Sequence, residues 1–548
     1  MFEYKGCSLK KSIIYYILIS IVWFELLYPL QLLADDKVTI QNQGKEPTIE
    51  PPLGGRSPII LPDLGDVSSG DMSNLDENQL GERIMREIRK DQDYITNWVM
   101  YDYINQLGHE LVLGAQQQKI SGSEVSGPFA PKFEFFNVRD SSINAFALPG
   151  GYIGIHTGLF LLADNESQLS SVLGHEIGHV TQKHIARGAG MGTSNAVIML
   201  ASILLAFVAV KSNPGAAQGL AIGGQALAIQ NQLTYTRDAE READRIGYQI
   251  LNATGFDVTS MPAFFLKLQR ATSIMDSGVP AYVRTHPLTT DRIGDMEDRV
   301  RGDQNKTRAL KNSIDFYLNQ TIAKIEQMNQ ASDAIPLKEY LNNLSTSKNL
   351  IKAMQSNFGL SLVALREKQP MEAERLLNKS KELFLKISPA EISPRSNFVF
   401  NMTAGQIELA KGNFVQSKNI ALKMINDFPQ SKAAGVLLVQ TYYSSGQIKE
   451  GIRWLEQKTK IQKDDTTWWT FLAEGHAKLN NSLGYHAAIA EKYVCEGALP
   501  AAIQQLTIAK EEGVGNFYQL SELEARKNQL EFLYREELKS NGRLSVKN

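Results

Sequence analysis

The stretch Leu173-Gly174-His175-Glu176-Ile177-Gly178-His179 sets two histidines four residues apart with a glutamate between them, in a run that reads as helix from Gln168 to Ile185. A helix turns about 100° per residue, so His175 and His179 project only about 40° apart, with Glu176 on the same arc. Two neutral imidazoles one turn apart suit two tetrahedral positions of a zinc ion, and a carboxylate beside them can take a proton from water at an open position. The alternative is an ordinary polar helix face. Leu169, Val172, Leu173 and Val180 give this helix a buried side, and Asp164 is its expected N-cap. Gly174 and Gly178, one turn apart, leave a flat strip for another element to approach.

A metal site of this kind needs a third protein ligand, and Thr236 to Gly247 offers one on a second expected helix. There Glu240, Ala243, Asp244 and Gly247 fall at i, i+3, i+4 and i+7, so two carboxylates and two small residues share a face. That face can meet Gly174 and Gly178, letting Glu240 reach the metal while Asp244 supports a ligand imidazole from behind. A solvated face with Arg241 paired to Asp244 is the alternative, yet solvation gains nothing from alternating small residues with acids. Glu242 points elsewhere and is the counter-candidate. His184, five residues past His179, is rotated about 140° away from that ligand, which puts it behind the ligands or in solvent.

Upstream, Lys132 to Val138 reads as a strand and Asn144 to His156 as two strands turning at Gly150-Gly151. Pro149 has no N–H to give a ladder, so its strand belongs at a sheet edge. An edge strand beside a metal site lets an extended substrate pair by its backbone, and an ordinary hairpin fits the same residues. His156 reads as structural. Met100, Ile104, Leu107 and Leu111, spaced four, three and four, predict a helix that covers the metal helix.

The 548 residues exceed what one core usually serves, so two or more domains are expected. A net charge of −2 without a basic run excludes a nucleic-acid footprint. Lys5, Lys10 and Lys11 precede an apolar run and Ala34, which reads as a secretory signal over 1–34 or an uncleaved anchor; either places the body outside the cytoplasm. The Pro- and Gly-rich segment 35–75 is an extended linker. Cys495 alone remains in the mature chain, so no internal disulfide forms, and an inert buried thiol is expected. The apolar run Ala196 to Val210 is shorter than the roughly 20 residues that span hydrocarbon, and with the stretch to Gln230 it predicts a helical hairpin near the site that rests on a membrane surface as a peripheral contact. Two spanning helices in a membrane-embedded protease are the rival.

Beyond Arg301 the pattern is helical. Gly412, Gly446 and Asn480 recur at intervals of 34, the period of tetratricopeptide units, and a last long helix is expected from Leu520 to Leu538. Such solenoids expose a concave surface suited to protein partners.

Together, the His-Glu-Ile-Gly-His motif, the Glu240-x-x-Ala243-Asp244 box and Asn144-Ala145-Phe146-Ala147-Leu148-Pro149-Gly150-Gly151 resemble the HtpX and CaaX-prenyl-protease class of zincin endopeptidases, over roughly 76–301. The resemblance implies an α+β, gluzincin-like peptidase domain (76–305), mostly helical with a small sheet, followed by an all-α tetratricopeptide-repeat domain (306–548). It implies one zinc ion held by His175, His179 and Glu240, with Glu176 as catalytic base; Asp244 counts among the catalytic residues through the support its spacing lets it give a ligand imidazole. It also draws attention to Thr285-His286-Pro287 and Arg292. Members with a repeat tail place that histidine near the zinc, where His286 would fill the open position and keep the enzyme latent, or stabilise the oxyanion once displaced. Periplasmic members with this tail match the chain from end to end. They imply misassembled outer-membrane β-barrel proteins as clients and the barrel-assembly machinery as partner. The rival from another class is a chaperone or scaffold whose metal site is latent or structural.

Overall fold

A computed structural model describes residues 73–124, 127, 130–189, 237–274, 280–302, 311–328, 334–388, 397–512 and 515–540. The signal or anchor, the linker to residue 72 and the hairpin expected over 196–230 lie outside the described residues. No helix among the described residues is long and apolar enough to cross a membrane.

Ser73 caps α1 (Asn74–Ile88), and Asn97 caps α2 (Trp98–Gln117), each side chain accepting a backbone N–H of the first turn. Met100, Ile104, Leu107 and Leu111 form the buried stripe of α2, as their spacing requires. Three strands follow: β1 (Glu134–Val138), β2 (Ala145–Leu148) and β3 (Tyr152–His156), in the order β1-β3-β2. β1 runs parallel to β3 with Glu134 opposite Tyr152, and β2 runs antiparallel with Ala145 opposite Ile155. β2 therefore lies at an edge, ending at Pro149. The turn to β3 needs both glycines, since Gly150 and Gly151 have φ of 80° and 95°. The opposite edge is covered in two places: the Asn105 carboxamide accepts from Phe135 N at 3.0 Å and donates to Phe135 O at 2.7 Å, and the backbone at Tyr94 bridges Val138.

α3 (Thr157–Leu162) leads into α4 (Glu166–Thr181), which is buried on every side from Glu166 to His179. Asn165, rather than Asp164, caps α4. Asn165 Oδ1 accepts from Gln168 N at 2.9 Å, and Gln168 Oε1 accepts from Asp164 N at 2.8 Å, while the Asp164 carboxylate is occupied by Lys267. The helix also stops before Ile185: Lys183 takes a left-handed φ of 53° and α5 (His184–Ala189) sets off in a new direction. The remaining elements of this half are α6 (Arg237–Thr254), α7 (Ser260–Ile274), α8 (Ala281–Thr285) and α9 (Thr290–Gly302).

α4 and α6 cross at their small residues. A Cβ on Gly178 would lie 3.1 Å from Ala243 Cα, one on Gly174 3.3 Å from Gly247 O, and one on Gly247 3.0 Å from His175 N. Glycine at these positions lets the two backbones meet, which brings Glu240 and Asp244 up to the histidines.

The C-terminal half is helical, beginning with α10 (Ile314–Gln327) and Ala334–Ser345. Hairpins follow: Leu350–Arg366 with Pro370–Phe384, Phe398–Ala410 with Phe414–Asp427, α11 (Lys432–Ser444) with Ile448–Ile461, and Thr466–Lys478 with Ser482–Cys495. Leu499–Glu511 and Phe517–Ser540 complete it. Gly412, Gly446 and Asn480 sit in the turns of three successive hairpins with φ of 79°, 76° and 53°, so the 34-residue recurrence marks where the chain must turn left-handed. Cys495 is half-buried rather than buried; its thiol donates to Lys463 O, and burial pushes its pKa up to about 12.

One hydrophobic core runs from Ile95 to Leu438 through both halves, with Phe160 stacked on Phe316 at 5.9 Å. A polar joint adds to it. The Asp102 carboxylate on α2 accepts from Ser431 Oγ at 2.6 Å and from the N–H groups of Lys432 and Ala433 at 2.9 Å each, capping α11 from outside. Asp102→Ala strands these part-buried donors at the cost of about 1–3 kcal/mol. The expected result is a lower thermal unfolding midpoint and faster limited proteolysis around Ser431; an unchanged midpoint would remove the joint from the account.

Candidate metal centre

His175, Glu176 and His179 reach the centre from α4, Glu240 from α6 and His286 from the residue ending α8, and all five are fully buried. One ligand atom from each of His175, His179, Glu240 and His286 lies within 4.8 Å of the other three. His175 Nε2 and His179 Nε2 face each other at 2.9 Å. Glu240 presents Oε2 to His175 Nε2 at 3.4 Å and Oε1 to His179 Nε2 at 3.5 Å. His286 Nδ1 is 3.0 Å from Glu240 Oε1, and its Nε2 is 3.5 Å from Glu176 Oε1. Nitrogen and carboxylate oxygen converging in a dry site is the donor chemistry of a divalent ion of the zinc type.

The groups behind the donors carry much of the electrostatics. Asp244 Oδ1 stands 2.9 Å from His175 Nδ1, and its carboxylate is gripped by Arg292 through Nε at 2.7 Å and Nη2 at 2.8 Å. Arg292 Nη1 lies 2.8 Å from Glu240 Oε2, so one buried guanidinium serves both carboxylates of α6. Burial works against charge on His175, but the Asp244 and Glu240 carboxylates outweigh it and raise its pKa to about 9. Burial likewise opposes ionisation of Glu240, yet the histidines around it hold it well below the usual carboxylate range. Glu176 differs. No side chain hydrogen-bonds to either of its oxygens among the described residues, and burial raises its pKa against the smaller opposing pull of the histidines and the Ala147 N–H.

Of the residues singled out from sequence, the fold brings His175, His179, Glu240 and His286 into one cluster, with Glu176 beside His286 and Asp244 behind His175. Glu242 stays outside the cluster, and Arg241 pairs with Asp238 rather than Asp244. His156 lies apart, against Ser142 Oγ at 2.8 Å. His184 lies behind the ligands, one of the two expected places, but not at the helical-wheel angle: the break at Lys183 swings it back to 2.9 Å from His179 Nδ1. Sequence reasoning noted Arg292 without its partners and missed Tyr282 altogether. Tyr282 is buried, stacks on the His286 ring at 4.6 Å, and has no hydrogen-bond partner for its hydroxyl among the described residues. The only sequence signal for either is nearness to His286.

A buried helix offering two imidazoles and a carboxylate, crossed by a second helix offering another carboxylate, defines a metallopeptidase. The profile of peptidase family M48 matches residues 113–300. The chain is 32% identical over 484 residues to the β-barrel assembly-enhancing protease of Escherichia coli, covering 87% of this chain and 93% of that one. It is 32% identical over 469 residues to a putative β-barrel assembly-enhancing protease of Vibrio cholerae, covering 84% and 90%. Over 256 residues it is 30% identical to the mitochondrial metalloendopeptidase OMA1 of Bos taurus, with 45% of each chain covered. The chain belongs to peptidase family M48 and is a metalloendopeptidase.

Proposed function

We propose that the chain is a periplasmic zinc endopeptidase that cuts misassembled outer-membrane β-barrel proteins and aids their assembly. In this reading 1–34 is a signal, 35–75 a tether, 76–305 the peptidase domain, and 306–548 a tetratricopeptide domain that holds clients or the barrel-assembly machinery. The observation that carries the chemistry is the buried convergence of His175, His179 and Glu240, with the Glu176 carboxylate beside them hydrogen-bonded by no side chain among the described residues. The names of the relatives carry the client class.

His175, His179 and Glu240 would hold one zinc ion, which supplies a Lewis acid for the scissile carbonyl and acidifies bound water. Glu176 takes the proton from water and passes it to the leaving amine. Asp244 holds His175 in place. The edge strand β2 lies against α4 and offers a substrate in extended form a backbone ladder. His286, wedged between Glu240 and Glu176, competes with water and substrate for this space, which favours a latent resting state; the alternative role, stabilising the oxyanion once displaced, would instead make His286→Ala slower. The scaffold alternative draws on the same wedge, as a permanent block.

Casein cleavage by the zinc-loaded native chain and by His286→Ala separates these readings. If His286 keeps about 90–99% of molecules closed, the variant cleaves about 10- to 100-fold faster. No cleavage by either chain favours the scaffold. Zinc loading also has a pH signature. The His175 pKa stands raised from 6.5 to about 9, so its protonation stabilises the metal-free fold fully below about pH 6.5, and that stability is lost as pH rises through about 9. Zinc must displace this proton, so a chelator competition should show affinity about tenfold tighter at pH 8 than at pH 7. Equal affinities would count against His175 as a ligand.

A further inference from the structure

We propose that His184 and Glu242 form a relay that fixes the tautomer and orientation of His179, an inference that rests on the metal-site reading above. His184 Nδ1 lies 2.9 Å from His179 Nδ1, and His184 Nε2 lies 3.0 Å from Glu242 Oε2. One proton can sit between two facing ring nitrogens. Because His184 Nε2 faces a carboxylate, its own proton belongs there, which leaves His184 Nδ1 as an acceptor. His179 must then carry its N–H on Nδ1 and keep the Nε2 lone pair, the one aimed at His175 and Glu240, free for a metal.

The fold builds this arrangement deliberately at one residue. In an unbroken helix His184 would face away from His179. Lys183, with φ of 53°, ends α4 and lets α5 return His184 to the back of the ligand, where its side chain is fully buried. Arg187 Nη1, 3.1 Å from Glu242 Oε2, and Arg245 Nη2, 3.8 Å from Glu242 Oε1, hold the carboxylate in place. The two histidines of the motif are thus each supported at Nδ1, His175 by Asp244 and His179 by His184. α6 supplies the carboxylate at the end of both supports, so Glu242, outside the ligand cluster, serves it through His184.

The test uses full-length protein and reads zinc affinity by chelator competition, alongside the thermal midpoint of the metal-free form. His184→Phe keeps a ring of similar size but cannot accept from His179; zinc affinity should fall about 10- to 100-fold. His184→Gln should recover most of it, since an amide oxygen can accept from His179 Nδ1 while the amide N–H donates to Glu242. Glu242→Gln should weaken zinc by a smaller factor with the metal-free midpoint unchanged. His184→Phe that binds zinc within twofold of native overturns the relay. If that variant does not fold, Glu242→Gln decides, and native affinity in it overturns the relay equally. A native chain that binds no zinc at all overturns the metal-site reading, and that result is distinct from either.

Discussion

Glu176→Gln is expected to lower casein cleavage by about 10²- to 10⁴-fold while the chain keeps its zinc, because a glutamine fills the same space and cannot accept the proton of the attacking water. The surroundings sharpen this expectation. The Glu176 carboxylate is wholly buried and no side chain hydrogen-bonds to it among the described residues; His286 Nε2 stands 3.5 Å away. A residue kept for stability would not leave a carboxylate so poorly served, since an unpaired buried charge costs several kcal/mol. Neutralising it should therefore leave the thermal midpoint unchanged or raise it. Rates from the zinc-loaded variant and native chain, with zinc per chain measured on the same samples, check both halves. Cleavage within tenfold of native would move the proton transfer to another group.

The second large effect is on stability. Arg292→Met should destabilise the metal-free chain by about 3–5 kcal/mol, the usual consequence of removing one partner from a buried ionic cluster. Arg292 is buried, grips Asp244 with two nitrogens and reaches Glu240 with the third, so its loss leaves two carboxylates of α6 with the histidines alone as countercharge. The direction of its pKa agrees: burial disfavours the charged guanidinium, yet Asp244 and Glu240 raise its pKa above the ordinary value. Adding Asp244→Asn to Arg292→Met should restore part of the loss, because the two residues share one interaction. Denaturant midpoints of the four chains measure this cycle, and simple additivity would show that Arg292 does not act through Asp244.

How far the sequence reaches depends on the range of the interaction. The α4 motif and the face of α6 are legible because helical spacing alone determines which side chains share a side, and because glycines opposite glycine and alanine are a sign of two helices in contact. The left-handed turns at Gly412, Gly446 and Asn480 are legible from their recurrence. His184 is legible only as a residue behind the ligands or in solvent; its return to His179 is not, because an angle counted along a helix assumes the helix continues, and Lys183 ends it without glycine or proline to announce the break. Arg292 is not legible, because its partners Asp244 and Glu240 lie about fifty residues away and nothing local says that an arginine six residues past His286 will be buried; Tyr282 is not, because nothing in the short segment before His286 says that its ring will be buried on that histidine. The cap of α4 falls one residue past the expected Asp164 for a similar reason: Asp164 is drawn off by Lys267 from α7, leaving Asn165 to close the helix.

The central claim is that the buried cluster of His175, His179 and Glu240 is a zinc site that hydrolyses peptide bonds. The most direct measurement is casein cleavage by the native full-length chain before chelation, after removal of metal, and after titration with zinc. Cleavage should vanish with the metal and return in full at about one equivalent of zinc per chain. Cleavage that persists without metal, or a chain that takes up one zinc and cuts nothing before or after, would contradict the claim.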